Sequence, residues 1–304
     1  MTTAAPIRFG EAQYDLELGE IQPLRPSDDI KHDPAALNAR FEEDGYLYIP
    51  GFFDRDAVLE ARRAILEYMD EHEGLEPGSR PLDGVMGQYG KSVPMMGRPH
   101  VTHDPKVLAI LESPRLVEFY RGIFGEQAMT YDYKWLRAVG NEQCTGAHMD
   151  EVYMGRGSKR VMTAWVPFGD IPVEQGTLAI CEASHRLEGF AKLRETYGKT
   201  DVDRDNFRGW LTKDPRSITD TFGGRWLTND VRAGDLITFG LWTMHASTTN
   251  TTEKWRLSCD IRFQPAAEPA DERWVGKTPR GHDHSFTTGQ TARTMEEMRS
   301  EWGV

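Results

Sequence analysis

The second half of the chain consists of short strand-like segments with no helical pattern between them, which narrows the folds that it can adopt. From about residue 129 onward, runs rich in β-branched and aromatic residues alternate with Gly, Pro, Asn and Asp at turns. Strands that follow one another in this way favour a double-stranded β-helix, the cupin-like jelly roll, whose interior can hold a metal and a small ligand. The predicted strands are residues 129–139, 148–154, 160–168, 177–181, 226–231, 235–239, 242–247 and 256–263.

The first half of the chain carries helical patterns instead, so the predicted fold class is mainly β with flanking helices. Each predicted helix opens on a side chain that can accept backbone hydrogen bonds, and most are followed by a proline suited to the first turn. In one of them Val58, Ala61, Ile65 and Met69 recur at helical spacing, which favours core packing over a binding face. The predicted capping residues are Asp33, Asp54, Asp104 and Ser113.

We expect one domain with an extension at each end. A length of 304 residues suits a single large domain, and the apolar content is ordinary for a globular protein. Two stretches without regular spacing, 74–98 and the charged insertion 185–225, are candidates for gates over a site. The predicted parts are an N-terminal arm at 1–32, a domain at 33–265 with helical support at 33–125 and a jelly-roll core at 129–265, and a C-terminal extension at 266–304.

One segment of the predicted core carries side chains that could bind a metal. His148 and Asp150 are two residues apart, so on an extended strand they project from the same face. With 9 His and 48 Asp and Glu residues, on the order of one His-x-acid triplet is expected from composition alone, so the triplet by itself does not identify a metal. His245 follows a predicted turn and strand, with Ser247 and Arg256 beyond it. Two imidazoles and one carboxylate can form the facial triad that binds iron(II) and leaves three coordination positions open.

The charge of the chain argues against two classes of partner. Its 36 basic and 48 acidic residues give a net charge of −12. Surfaces that bind nucleic acid or anionic membranes need clustered Lys and Arg, so we expect neither partner. No stretch approaches the ~18 apolar residues of a membrane-spanning helix. The N-terminus lacks the apolar segment of a secretory signal. A cytoplasmic protein that acts on a small molecule is the expectation.

The cysteine pattern also favours a cytoplasmic protein. Cys144, Cys181 and Cys259 are far apart and form no CxxC pair, which is typical of a reducing environment rather than of a disulfide framework or zinc site. Cys144 lies close to His148 in sequence, so a sulfur ligand is conceivable there. Packing at a strand end is the default interpretation of that residue.

Motifs in a defined order run through residues 41–264. They are FEEDGYLYIPGF at 41–52, AHMD at 147–150, WVPF at 165–168, EQGTL at 174–178, ASHR at 183–186, AGD at 233–235, HAS at 245–247, Asn250, and RLS at 256–258. None of these motifs is specific alone. Their order and spacing together resemble the phytanoyl-CoA dioxygenase-like family of iron(II)- and 2-oxoglutarate-dependent oxygenases.

The resemblance implies a role for each candidate site residue. His148, Asp150 and His245 would ligate iron(II). Arg256, helped by the Ser247 hydroxyl, would pair with the distal carboxylate of 2-oxoglutarate, because a guanidinium offers a planar fork to a carboxylate and a buried dianion needs a countercharge. A structural ion pair is the alternative role for Arg256. The remaining cosubstrate contacts implied by position are Trp165 as a wall, Tyr133 or Thr163 as a hydrogen-bond donor, and Lys91 from the segment ahead of the core.

The same resemblance implies a hydroxylase that consumes 2-oxoglutarate and O2 and releases succinate and carbon dioxide. The carboxylate of Asp150 favours hydroxylation over halogenation, because related halogenases leave that position open for chloride. A metal-binding cupin-like protein without oxygenase activity is an alternative, since it would not need Arg256 and Ser247. An acyl-CoA hydroxylase of the same fold is another, although no run of Lys or Arg is evident to hold a coenzyme A phosphate. Desaturation or cyclisation would use the same iron.

Two further expectations concern the periphery of the site and the assembly. Glu151, Tyr153 and Arg156 follow the metal segment and are candidates for substrate contact, or else solvated loop residues. A helix carrying Met298 and Trp302 is predicted near the C-terminus, either packed on the N-terminal arm or forming a homodimer seam. The oligomeric state stays open.

Overall fold

A computed structural model describes residues 6–16, 18–87, 92–282 and 293–303; Lys91 lies outside these ranges. The strands are β1 Ile7–Phe9, β2 Ala12–Tyr14, β3 Tyr46–Ile49, β4 Ala128–Thr130, β5 Trp135–Val139, β6 Met162–Pro167, β7 Leu178–Cys181, β8 Trp226–Leu227, β9 Leu236–Gly240, β10 His245–Ser247 and β11 Arg256–Pro265. The helices are α1 Pro34–Asp44, α2 Arg55–Glu71, α3 Pro99–Thr102, α4 Pro105–Leu111, α5 Pro114–Phe124, α6 Glu151–Met154, α7 Ala191–Glu195, α8 Pro215–Phe222 and α9 Met295–Trp302.

The supporting helices begin where the sequence predicts. The Asp33 carboxylate accepts from the backbone N–H groups of the first turn of α1, and Asp54 does the same for α2. Asp104 and Ser113 cap α4 and α5. Satisfying these otherwise unpaired N–H groups fixes the start of each helix. The capping predictions are confirmed.

Two antiparallel sheets form the core. The larger has the order β3-β9-β6-β11-β4, with β5 also pairing with β11, and the smaller has the order β10-β7-β8. Trp165 and Ile237 of the larger sheet pack in one buried cluster with Leu178 and Ile180 of the smaller one. The inner faces of the two sheets therefore pack against each other, as in a jelly roll, and the predicted fold class is confirmed.

Strand β11 shows how this core separates an apolar side from a polar interior. Leu257, Cys259, Ile261 and Phe263 lie in the large apolar cluster that also contains the buried faces of α2, α4 and α5. The alternate residues point the other way, because successive side chains on a strand project from opposite faces. Those interior residues of β11 are Arg256, Ser258, Asp260 and Arg262, and all are buried.

The predicted strand at residues 148–154 is wrong beyond its first residue. His148 forms an isolated antiparallel bridge with His245, but Asp150 has φ −64° and ψ −18° and leads into α6. The backbone N–H groups of Tyr153 and Met154 donate to the Asp150 carbonyl, which closes a helical turn. A three-residue window cannot distinguish a strand from the start of so short a helix.

The predicted strand at 129–139 divides into β4 and β5. Both pair with β11, through Thr130 with Phe263 and Trp135 with Asp260. Between these paired positions lie four residues, 131–134, on one side and only two, 261–262, on β11, and the extra residues break the strand. The predicted strand at 242–247 is shorter than expected, since only His245–Ser247 is extended.

The peripheral segments pack on the side of the smaller sheet. Phe9 of the arm, Phe190 and Phe207 of the insertion and Met298 of α9 share one apolar cluster. The ring of Trp302 meets that of Tyr197 at 5.8 Å. Helix α9 thus packs within the chain, on a cluster that includes the N-terminal arm. None of the helices in the described ranges combines the length and apolar character needed to cross a membrane.

Candidate metal centre

Three buried side chains from two distant segments meet inside the core. Donor atoms of His148, Asp150 and His245 all lie within 4.8 Å of one another. The Nε2 atoms of His148 and His245 are 3.7 and 3.8 Å from Asp150 Oδ1. Reciprocal backbone hydrogen bonds of 2.9 and 3.0 Å join the two histidine residues and hold their segments together. The two imidazoles and the carboxylate that the sequence singles out are thus brought into one group.

Hydrogen bonding fixes the tautomer of both imidazoles. His148 Nδ1 lies 2.8 Å from the carbonyl oxygen of Gly146, and His245 Nδ1 lies 2.9 Å from that of Thr243. A carbonyl only accepts, so each Nδ1 carries the hydrogen and each Nε2 presents a lone pair. Burial, with a further contribution from His245, lowers the pKa of His148 to about 3. Burial also lowers the pKa of His245. Both rings are therefore neutral and suited to bind a metal through Nε2.

The carboxylate of Asp150 is held by two donors. Burial acts to raise its pKa, but the neighbouring Arg262 opposes this, and the net pKa lies well below its usual value. The Thr163 hydroxyl donates to Oδ2 at 2.6 Å, and Arg262 Nη2 donates to the same oxygen at 3.0 Å. Asp150 is thus ionised, as a metal ligand must be. The Thr163 hydroxyl, expected to face a cosubstrate, directs its hydrogen to Asp150 instead.

A small polar pocket opens beside this group. It contains three guanidinium groups and one carboxylate besides the imidazoles, with Trp165 forming part of its wall. Its lining residues are Arg137, Thr145, His148, Trp165, Leu178, His245, Ala246, Ser247, Arg256, Asp260 and Arg262. A roomier cavity of about 410 Å³ lies elsewhere, bordered by α1, α5 and the start of β6, but its Lys159 and Arg160 are paired with Glu151 and Glu126. The polar pocket is therefore the candidate site.

Arg256 is the one guanidinium of this pocket without a carboxylate partner in the described part of the chain. Its side chain is buried, Nη1 donates to Ser258 Oγ, and Nε has no partner. Burial and the nearby Arg137 lower its pKa to about 10, which still leaves it charged. A buried, unpaired cation is unfavourable unless an anion binds to it.

Ser247 supplies a further donor to the same pocket. Its Oγ accepts from the backbone N–H of Thr145 at 2.8 Å. The hydroxyl hydrogen therefore points away from that bond and can be donated to a ligand oxygen. The donor set of this pocket fits both a divalent metal and a small dicarboxylate.

Tyr133 lies apart from the pocket. Its ring packs against Trp135 at 4.7 Å and Trp274 at 5.2 Å, within an aromatic cluster. Cys144 is half-buried and is not part of the group of metal donors found among the described residues. Lys91 falls outside the described ranges.

The three residues after Asp150 that could contact a substrate have different surroundings. Glu151 forms an ion pair with Lys159, and Arg156 pairs with Asp201 at 2.6 Å. Tyr153 is partly buried and presents its ring edge-on to His148, with 5.4 Å between centroids. Tyr153 is thus the candidate that lies directly against a residue of the triad.

Sequence reasoning missed Arg262, Arg137 and Asp260. Arg262 binds Asp150, and Arg137 Nε donates to Asp260 at 2.7 Å inside the pocket. The alternation of polar and apolar residues from Arg256 to Phe263 carried a usable signal, because it places Asp260 and Arg262 on the same face as Arg256. Arg137 carried no such signal in the sequence.

Comparison with known proteins agrees with this geometry. Residues 41–258 match the phytanoyl-CoA dioxygenase (PhyH) family. Two curated relatives are the 1-deoxypentalenic acid 11-beta-hydroxylases of Streptomyces arenae and Streptomyces exfoliatus. Each is 24% identical to this chain over 249 and 248 residues respectively, covering 77% of this chain and 82% of the relative.

Solved structures share the fold. The α-ketoglutarate-dependent carbocyclase SnoK from nogalamycin biosynthesis is 16% identical, with a TM-score of 0.58, covering 88% of this chain and 95% of SnoK. EctD from S. alaskensis, solved with 2-oxoglutarate and 5-hydroxyectoine, is 18% identical with a TM-score of 0.56, covering 86% of this chain and 88% of EctD. The family match extends over well more than half of the sequence, and this chain belongs to the phytanoyl-CoA dioxygenase family.

Proposed function

We propose that this protein, an iron(II)- and 2-oxoglutarate-dependent oxygenase by family, hydroxylates a small-molecule metabolite at the pocket beside His148, Asp150 and His245. The observation that carries the proposal is the pairing of two features in one buried site. A neutral His, Asp, His donor group lies next to a guanidinium, that of Arg256, which has no carboxylate partner among the described residues. A metal-binding protein without oxygenase activity would have no need for that second feature.

The residues present divide the work of such a reaction. His148 and His245 would bind the metal through Nε2, and Asp150 through its carboxylate. Arg256 would pair with the distal carboxylate of 2-oxoglutarate, with the Ser247 hydroxyl as a further donor. When bound, iron(II) with 2-oxoglutarate and O2 supplies an oxidant for an unactivated C–H bond, with release of succinate and carbon dioxide.

The surrounding chain would exclude water and orient the substrate. Trp165 walls the pocket, and the partly buried Tyr153 ring lies edge-on to His148, where it can contact a substrate. The insertion at 185–225 also contacts Tyr153, since the Tyr153 hydroxyl donates to the Arg208 carbonyl at 3.2 Å. These contacts support roles for Tyr153 and the insertion in holding a substrate over the metal.

The substrate class is proposed from the relatives and the charge of the chain. The curated relatives hydroxylate 1-deoxypentalenic acid, a small molecule, and the neighbour EctD was solved with 5-hydroxyectoine. A net charge of −12 and the absence of a Lys or Arg run in the sequence argue against coenzyme A thioesters. A small, specialised metabolite is the better candidate.

An anaerobic titration tests the proposed cofactors. Iron(II) and 2-oxoglutarate added to the protein without O2 should give the weak visible absorption band of the iron chelate. His148→Ala should abolish metal retention and the band, whereas Arg256→Ala should retain the metal and weaken 2-oxoglutarate binding. If Arg256→Ala binds 2-oxoglutarate with unchanged affinity in this titration, the assignment of Arg256 as the partner of the distal carboxylate is wrong.

A substrate screen tests the reaction. Succinate release should be measured with a library of small metabolites, including polycyclic carboxylic acids, and with acyl-CoA thioesters as a separate arm. Stimulation only by thioesters would contradict the proposed substrate class. A product that is oxidised without gaining oxygen would contradict hydroxylation.

A further inference from the structure

The two oxygens of the Asp150 carboxylate have different surroundings. Oδ1 faces the Nε2 atoms of His148 and His245 at 3.7 and 3.8 Å. Oδ2 instead accepts from Thr163 Oγ1 at 2.6 Å and from Arg262 Nη2 at 3.0 Å. One oxygen is thus directed at the centre of the donor group, while the other is engaged by the protein.

The two donors to Oδ2 form a single unit. Thr163 on β6 and Arg262 on β11 are direct partners in the register of the larger sheet. Both side chains are buried, and the Arg262 guanidinium lies 4.1 Å from the centroid of the Trp135 ring. Nη1 of Arg262 is also 3.9 Å from Asp260 Oδ2. The sheet, the ring and the second carboxylate therefore fix both donors before any metal binds.

We propose that the Thr163–Arg262 pair is a positioning device that restricts Asp150 to one-oxygen ligation of the metal. This inference rests on the proposed function. A carboxylate can bind a metal through one oxygen or through both, and engaging Oδ2 in two hydrogen bonds, one of them charge-assisted, leaves Oδ1 as the free ligand atom. Ligation through both oxygens would occupy a coordination position that 2-oxoglutarate or O2 requires.

A matched pair of substitutions tests the role of the hydroxyl. Thr163→Val removes it with little change of shape, and Thr163→Ser restores it. Thr238→Val is the control, because Thr238 is likewise buried in the sheet and its hydroxyl is also in a 2.6 Å hydrogen bond, but with Tyr120. Cobalt(II), the probe metal, should be titrated without O2, and its visible ligand-field spectrum and dissociation constant recorded for each variant.

The expected result is specific to Thr163. Thr163→Val should weaken cobalt(II) binding about 10- to 100-fold. It should also change the ligand-field spectrum, because Asp150 is then free to bind through both oxygens. Thr163→Ser should restore the wild-type spectrum and affinity, and Thr238→Val should lower stability while leaving both unchanged. Arg262→Lys, which keeps the charge but loses the fork over Trp135, should change the spectrum in the same direction as Thr163→Val.

The outcomes separate the two proposals. If the wild-type protein binds cobalt(II) and forms the anaerobic 2-oxoglutarate chelate with iron(II), but Thr163→Val keeps the wild-type affinity and spectrum, the positioning role is wrong and the proposed function stands. If Thr238→Val changes the spectrum as much as Thr163→Val, a general loosening of the sheet explains the effect and the positioning role is again wrong. If the wild-type protein binds neither metal, the proposed function fails and the positioning role fails with it.

Discussion

The arginine residues of one pocket differ in what balances their charge. Arg137 donates to Asp260 at 2.7 Å, and Arg262 donates to Asp150 at 3.0 Å. Arg256 has neither, although it is just as deeply buried as Arg262. In the protein without metal and 2-oxoglutarate, a buried arginine can therefore stabilise or destabilise the fold, depending on whether a carboxylate pairs with it.

This difference predicts opposite effects of one substitution. In the absence of metal and 2-oxoglutarate, Arg256→Met should raise the free energy of unfolding by about 1 kcal/mol or more, because it removes an unpaired buried charge. Arg262→Met should lower it by about 3 kcal/mol, because it leaves Asp150 without its cation. Urea denaturation of both variants provides the measurement. Equal destabilisation by the two substitutions would contradict the view that Arg256 awaits an anion.

At the scale of elements, the insertion joins the segment that carries the metal ligands. The backbone N–H of Ala147 donates to the Thr212 carbonyl at 2.8 Å, and that of Leu211 donates to the Ala147 carbonyl at 2.7 Å. Gly209, one residue beyond Arg208, has φ +93° and lies so close to Tyr153 that a Cβ would be 2.2 Å from the phenolic oxygen. The path of the insertion over Tyr153 therefore depends on the absence of a side chain at residue 209.

Gly209→Ala should consequently destabilise the protein more than backbone strain alone explains. Gly276→Ala is the matched control, since Gly276 has φ +100° and open space where its Cβ would stand. We expect the free energy of unfolding of Gly209→Ala to be lower than that of the control by about 1–3 kcal/mol, the usual penalty of overpacking. Denaturant titration of the two variants measures this difference. Equal losses of unfolding free energy in the two variants would mean that the insertion moves aside from Tyr153 without an energetic penalty.

Elements also show where local sequence information is sufficient. Helices α1, α2, α4 and α5 start at their predicted caps because capping is a hydrogen bond between near neighbours. The segment after His148, for which the sequence predicts a strand, is a helical turn from Asp150. Its extended part is held by a bridge to His245, a contact that residues close in sequence do not encode.

At the scale of the whole molecule, the candidate metal site ties two distant parts of the chain together. His148 and Asp150 precede α6, and His245 begins β10, so a bound metal would cross-link two segments that are distant along the chain. A ligand that binds only the folded state stabilises it by an amount that rises with the logarithm of the ratio of its free concentration to its dissociation constant.

Metal removal should therefore lower thermal stability. With metal at 100 times its dissociation constant, the folded state should gain about 2.7 kcal/mol, which a chelator would remove. His245→Ala should unfold at the same temperature with and without the chelator. Thermal denaturation followed by circular dichroism checks both expectations, and a His245→Ala variant that still responds to the chelator would place the metal elsewhere.

The sequence by itself determined the class of fold, the starts of the supporting helices and the choice of His148, Asp150 and His245 as candidate metal ligands, because capping and strand alternation depend on residues close along the chain and the order of motifs can be read from the linear sequence. The family match and the solved structures bear out the fold and the enzyme class.

Only the tertiary structure decided which side chains share the pocket. The Thr163 hydroxyl donates to Asp150, and the Tyr133 ring packs among other aromatic rings. Arg262 and Arg137 line the pocket because the pairing of their strands places them there. The physical reason is that hydrogen bonds and ion pairs at the centre depend on which strands lie side by side, and that pairing is set by packing across the whole core rather than by any one segment.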